Sequence, residues 1–288
     1  GVEKANAGIQ ENLRFIRRLN NDPHPRLAAT FGLHASLTLS GATLQACRSA
    51  ANDEVGFHVH VAEHEEDEYD SLHKSQMRAI ERLQKHNILG PKTITAHGVH
   101  VDVREMEILK ETETWLTHQP RSNMNNGVGV AQIESMLRMG IKVCLGNDGF
   151  TNSMWDDWKT AYLLHKVHHR DPRRMGGYDV QQMAIYNNAE LAEMFFPNTS
   201  IGKIAVDAIA DLIFVDYKPF TPLTDGNLPW HIIFGFQQSM VTSTMVEGKF
   251  LMKDRKLLTL DEEEIASRAR EIAPKVWKKY EEEVAKVS

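Results

Sequence analysis

Three short segments carry side chains suited to metal-assisted hydrolysis. In His58-Val59-His60-Val61-Ala62-Glu63 two histidines stand two residues apart on one strand and share a face, and a carboxylate follows just past the strand end. Neutral imidazoles suit Zn²⁺ or Fe²⁺, and a non-ligand Glu63 can take a proton from a metal-bound water. A pair of hydrogen-bonded core histidines is the structural alternative. In Thr95-Ala96-His97-Gly98-Val99-His100 a strand-end histidine matches His60 in parity. In Cys144-Leu145-Gly146-Asn147-Asp148-Gly149 an acidic residue follows an apolar strand. Asn-Asp-Gly also reads as a plain turn. Its parity with the two histidines makes Asp148 a candidate metal ligand and base.

These residues need a scaffold that aims strand ends at one place. Strands are predicted at Leu27–His34, Gly56–Val61, Thr93–His97, Thr114–Gln119 and Ile141–Asn147. Helices are predicted between and after them, at Ser40–Asn52, Glu65–Asn87, Asp102–Glu111, Gly129–Met139 and Trp155–His169. Ser40 and Asp102 are N-cap residues, and Glu105 completes a capping box with Asp102. Alternating strands and helices imply a parallel sheet, either a barrel or a doubly wound fold. Alternation within the strands favours a barrel: Phe57, Val59 and Val61 oppose Gly56, His58 and His60, and Ile141, Val143 and Leu145 oppose Cys144, Gly146 and Asp148. The ionisable groups sit at C-terminal strand ends, where parallel α/β folds place their active sites. Beyond about Asn198 the pattern turns β-rich, at Ala208–Asp216 and Met240–Phe250, and ends in a charged amphipathic helix from Asp261 to Val287. The expected organisation is a barrel domain over 1–198, a small β domain over 199–260 and a helix over 261–288.

The 288 residues are 42% hydrophobic and 25% charged, so the chain is expected to fold around a sizeable core. The net charge of −6 carries no basic excess for nucleic acid or an anionic membrane, and the longest apolar runs are strand-length. With only Cys47 and Cys144, a disulfide framework is excluded and a cytoplasmic location is expected. His165, His168 and His169, beside Lys166 and Arg170, read as a solvated helix face. Glu65, Glu66, Asp67 and Glu68 read as a helix start, Met136 and Met139 as core filling, and Cys144 as buried and inert.

Taken together, the segments around His58–Glu63, Ala96–His100, His118–Met124 and Gly146–Gly149 resemble the successive strand ends of the amidohydrolase superfamily. They are most similar to the branch of the chlorohydrolases, guanine deaminase and methylthioadenosine deaminases. Ala208–Ile213 and Met245–Lys249 resemble that branch's small β-sandwich, and Phe31–Ser40 is most similar to the aminohydrolases called SsnA. The resemblance implies a (β/α)8 TIM barrel with a β-sandwich domain. It also implies one divalent metal, Zn²⁺ or Fe²⁺, held by His60 and Asp148, with His97 polarising or orienting the attacked group and close enough to approach the metal. Glu63 would be the proton shuttle, and His34 and Asn123 would line the substrate pocket.

The implied activity is hydrolysis of a C–N bond in a purine-like or pyrimidine-like heterocycle. A ring-opening cyclic amidase and a non-catalytic remnant or partner subunit stay open as alternatives, as does the oligomeric state, a homodimer included. One departure is large. The family's first metal motif, a His-x-His on the first barrel strand, is not found, and the chain opens on Gly1 and a helix without a strand. The expectation is that five of eight strands are present. An upstream segment is expected to supply the rest, without which residues 1–288 neither fold stably nor catalyse.

Overall fold

The computed structural model describes residues 1–52 and 54–286. It divides into two compact units, Gly1–Lys203 with Pro219–Phe236, and Ile204–Lys218 with the chain from Gln237 onward. The first unit therefore also takes up Pro219–Phe236, which lies within the stretch expected to be the β domain.

In the first unit a helix, α1 (Val2–Asn21), precedes five parallel strands joined by helices. The strands are β1 (Phe31–Ala35), β2 (Phe57–Val61), β3 (Ile94–His97), β4 (Trp115–His118) and β5 (Val143–Leu145), in that spatial order. The connecting helices are α2 (Gly41–Ala50), α3 (Glu65–Ser75), α4 (Ala79–Lys85), α5 (Val103–Glu111), α6 (Pro120–Asn126) and α7 (Ile133–Met139), followed by α8 (Met154–His169). The sheet is open rather than a closed barrel. Phe31, Phe57, Val59, Leu116 and Val143 pack with Leu44, Leu83, Leu109 and Met136 of the helices in one buried core. The site-bearing alternates His34, His58 and His60 are exposed or half-buried.

Both free edges of the sheet are taken by asparagine side chains. Phe31 N–H bonds Gly56, so Gly32 turns its peptide groups away from β2. Asn12 of α1 pairs there with both, accepting from Gly32 N–H at 2.7 Å and donating to Gly32 C=O at 3.2 Å. On β5, Asn187 Nδ2 donates to Val143 C=O at 2.6 Å, and Asn188 both accepts from and donates to Leu145 at 3.1 Å. A carboxamide reproduces a strand's donor and acceptor pair, which satisfies groups that otherwise invite edge pairing.

The single helix expected over Glu65–Asn87 is two. Gln76 ends α3 in the left-handed conformation, and Arg78 N–H donates to Glu81 Oε2 at 3.1 Å to start α4. The Asp102–Glu105 capping box forms as expected, with reciprocal bonds of 2.9 and 3.1 Å. Glu105 is itself buried, and its carboxylate accepts from Arg78 Nε at 2.8 Å and from Ile80 N–H at 2.9 Å. Glu68 lies beside this pair, and burial together with Glu105 pushes its carboxyl up to about 8. After α8 come α9 (Gly177–Gln181), a π-helical turn at Gln182–Asn187, α10 (Asn188–Phe195) and later α11 (Leu228–Gly235).

The second unit holds an antiparallel sheet of β6 (Leu212–Val215), β7 (Val241–Val246), β8 (Lys249–Lys253) and β9 (Lys256–Leu257) in sequential order. It ends in α12 (Glu262–Val284), capped by Asp261, whose carboxylate accepts from Glu264 N–H at 2.9 Å. The last residue of the helix expected to Val287 lies outside the described residues. No helix among the described residues is long and apolar enough to cross a membrane.

Candidate active site

The strand ends turn sharply at Ala62, His97 and Asp148, whose φ values of 48°, 74° and 53° lie in the left-handed region. Each such residue without a glycine's freedom costs about 1–3 kcal/mol, so neighbours must hold it. Asp67 accepts from Ala62 N–H at 2.6 Å with one oxygen and from Leu37 N–H at 2.8 Å with the other, tying the ends of β1 and β2 together. Burial raises the Asp67 carboxyl above its ordinary range, and the two amide bonds oppose that rise. His97 N–H donates to Gln119 Oε1 at 3.0 Å, and Ser122 Oγ donates to Asp148 Oδ2 at 2.8 Å. The carboxylates read as a helix start thus include a buried brace for the turn that presents Glu63.

Four side chains converge in front of these turns. His97 Nε2 lies 3.6 Å from Glu63 Oε2 and 3.6 Å from Asp148 Oδ2. The ring of His97 stacks on His60 at 5.5 Å between centroids, and His60 meets His34 edge-on at 5.8 Å. Hydrogen bonds set the ring orientations. His60 Nδ1 donates to the His34 carbonyl at 2.6 Å, which leaves Nε2 as its free lone pair. His97 Nδ1 meets Asn123 Oδ1 at 2.9 Å, an acceptor, which turns the Nε2 lone pair of His97 toward the two carboxylates. A lone pair facing two anionic oxygens calls for a cation or proton between them, and imidazole nitrogens with a carboxylate are donors that Zn²⁺ or Fe²⁺ accepts. The donor types present therefore suit a divalent metal, although no three of their ligand atoms lie within 4.8 Å of one another.

Each expected site residue can be located in this arrangement. His60, His97, Glu63 and Asp148 are brought together, and His34 sits at their edge with Nδ1 2.9 Å from Thr38 Oγ1. Asn123 is fully buried behind His97, so it fixes that ring directly. The residues sequence reasoning missed belong to α6. Besides Gln119 at its start and Ser122, Asn126 Nδ2 donates to Glu63 Oε1 at 3.1 Å. Arg121 clamps the loop beyond Asp148, donating to the buried carboxylate of Asp157 at 3.0 and 2.6 Å and to Thr151 C=O at 2.8 Å. The signal for α6 was present: Pro120 at its first turn and Gly127, left-handed, just past its end.

Two further expectations have a clear outcome. Cys144 is buried, and burial first of all pushes its thiol up to about 12, so it is not a nucleophile. The solvated histidine face is corrected at one position. His165 is fully buried, with Nε2 3.2 Å from His118 Nε2, because α8 turns this residue onto the end of β4. Burial, then His169, His168 and Lys166, push it down to about 4.

Histidines and carboxylates thus gather at the C-terminal strand ends of an open parallel α/β sheet. Residues 3–251 match the model of the Amidohydrolase family, and the chain belongs to that family. It is 33% identical over 274 residues to 5'-deoxyadenosine deaminase of Methanobrevibacter smithii, covering 93% of this chain and 62% of that protein. It is 31% identical to 5-methylthioadenosine/S-adenosylhomocysteine deaminase of Syntrophobacter fumaroxidans, covering 92% and 61%. The chain thus spans less than two thirds of the length of these relatives. Among solved structures, a zinc-bound adenosine deaminase from Xanthomonas campestris superposes with a TM-score of 0.83 at 21% identity, over 93% of this chain and 61% of that one. Zinc-bound atrazine chlorohydrolase TrzN from Arthrobacter aurescens gives 0.74 at 20% identity, over 92% and 60%. These likenesses establish a shared fold.

Proposed function

We propose that this chain carries the catalytic strand ends of a metal-dependent aminohydrolase. The reaction would replace the exocyclic amino group of a purine by oxygen, in a nucleoside such as 5'-deoxyadenosine or 5-methylthioadenosine. The observation that carries the reading is the meeting of Glu63 and Asp148 at 3.6 Å on one nitrogen of His97, with His60 stacked alongside. The names of the relatives support the purine nucleoside. The proposal includes completion of the sheet as a (β/α)8 barrel, a β-sandwich for the antiparallel sheet and a cytoplasmic location. It also includes the finer likeness to SsnA, supported by Phe31–Ser40 alone.

His60 and Asp148 would hold the metal, Zn²⁺ or Fe²⁺, with His97 beside them. When bound, such an ion lowers the pKa of a water and supplies charge where the attacked carbon's substituents become negative. Glu63 is placed by Asn126 and is about one third exposed, so it can reach both an attacking water and a substrate ring nitrogen. It takes a proton from the water as oxygen adds to the ring carbon and gives that proton to the ring nitrogen. Asp148, steadied by Ser122, passes the second proton to the departing amino group, and ammonia leaves. His97, fixed by Asn123 and Gln119, orients the attacked edge of the ring, and His34 bounds the pocket.

The test is to load the purified full-length protein with zinc and incubate it with 5'-deoxyadenosine and 5-methylthioadenosine, following ammonia and the heterocyclic product. Ammonia with an intact oxo-purine supports the proposal. A ring-opened product without ammonia replaces it with a cyclic amidase.

A further inference from the structure

We infer that Glu134, His165 and His169 form a second divalent-metal site, of the zinc class, between α7 and α8. This goes beyond the proposed function and does not depend on it, since it shares no residue with the group around His60 and His97.

One donor atom from each of the three residues lies within 4.8 Å of the other two, the sole such trio among the described residues. His165 and His169 stand four residues apart on α8, one turn along the same face, and Glu134 comes from α7. Two of these residues each hold a buried polar atom without a hydrogen-bond partner. His165 is fully buried, its Nε2 is committed to His118, and its Nδ1 has no partner. Glu134 accepts from Met175 N–H at 3.0 Å with Oε1, while Oε2 is buried without a hydrogen bond. Leaving such groups unmade costs about 1–3 kcal/mol each, and native structures rarely leave two side by side.

A cation held through these two atoms would satisfy both. If His165 donates its Nε2 proton to His118, its Nδ1 is a bare lone pair, the form in which imidazole ligates. Neither neighbouring cation fills the place: Arg174 Nη1 is 3.8 Å from Glu134 Oε2 and its Nε also turns toward Asp171 at 3.7 Å, while Lys166 Nζ donates to the carbonyls of Arg174 and Met175. Two imidazoles and one carboxylate make a three-ligand set with a fourth position for water, a composition zinc favours. Bonds of about 2.1 Å put tetrahedral donors about 3.4 Å apart, so donors lying within 4.8 Å of one another need close by at most about 1.4 Å. His169 is exposed on the last turn of α8 and can swing inward. The site would pin α7 to α8.

The test is zinc binding to the full protein after chelation and dialysis, read as metal per chain and as thermal midpoint. His169→Ala, Glu134→Gln, His168→Ala and His60→Ala are compared with the parent. His169 is exposed, so its replacement leaves the fold intact. The expected result is that His169→Ala and Glu134→Gln each lose one zinc per chain, or weaken it more than about tenfold, and lose the accompanying rise in midpoint. His168→Ala and His60→Ala should keep that equivalent. Unchanged zinc binding in His169→Ala overturns the site. Loss in His169→Ala with full retention in Glu134→Gln also overturns it, since it would leave only a surface pair of histidines.

Discussion

Replacing Glu63 by Gln separates a proton carrier from a ligand and from a structural residue. Glu63 Oε1 accepts from Asn126 Nδ2 at 3.1 Å, and the amide oxygen of Gln can keep that bond. The side chain is 30% exposed, so the change should move stability by no more than about 0.5 kcal/mol. What is lost is the carboxylate oxygen 3.6 Å from His97, the group that would carry the proton from water to ring. Losing one general acid/base costs about 10²–10⁴-fold, or about 2.7–5.5 kcal/mol in the barrier. The expected outcome is a collapse of kcat in an ammonia-release assay, with metal content and thermal midpoint as in the parent. His60→Ala, which removes a ligand, should lose metal as well. Metal loss in Glu63→Gln equal to that in His60→Ala would refute the assignment, as would a rate within about threefold of the parent.

Other expectations are independent of that role. Asp148→Asn should lower both metal affinity and rate, because an amide still accepts from Ser122 but offers the cation no charge; a parental rate would make Asn147–Gly149 only a turn. Gly56→Ala should destabilise by about 1–3 kcal/mol or more in urea unfolding, because a Cβ there would stand 1.9 Å from the Lys92 carbonyl oxygen at the start of β2; an unchanged midpoint would contradict the packing. Glu68 ionises near 8 in the fold against 4.5 ordinarily, so its contribution to stability is intact below about pH 4.5 and is lost as pH rises through about 8. Glu68→Gln should flatten that decline in denaturant midpoints taken across the window, and an identical pH slope would show that another group causes it.

The sequence was most informative where periodicity and chemistry coincided. His60, Glu63, His97 and Asp148 could be named because each lies at the end of an apolar strand, and the fold does bring them together. The parity expected of His97 was wrong, since His60 pairs with Ala96 and Val61 with His97, and the left-handed turn at His97 accompanies its placement beside His60. The supporting residues were harder to see. Gln119, Ser122 and Asn126 are ordinary polar residues at the cap and on the body of a seven-residue helix, and only their positions after β4 aim them at His97, Asp148 and Glu63. His165 looked solvated because its neighbours are charged, yet one turn of α8 faces the sheet. Alternation also failed at the sheet's lower end. Ile94 and Cys144, of opposite parity, meet around Trp115 against Leu191, Met194 and Phe195 of α10, a long-range packing that no local pattern encodes.

The most direct measurement is product analysis after turnover of 5'-deoxyadenosine by the zinc-loaded full-length protein in isotope-labelled water. The account predicts one ammonia released for each purine that gains one labelled oxygen with its ring intact, and no turnover once the metal is removed by chelation. A ring-opened product, or equal turnover in the chelated protein, would contradict it.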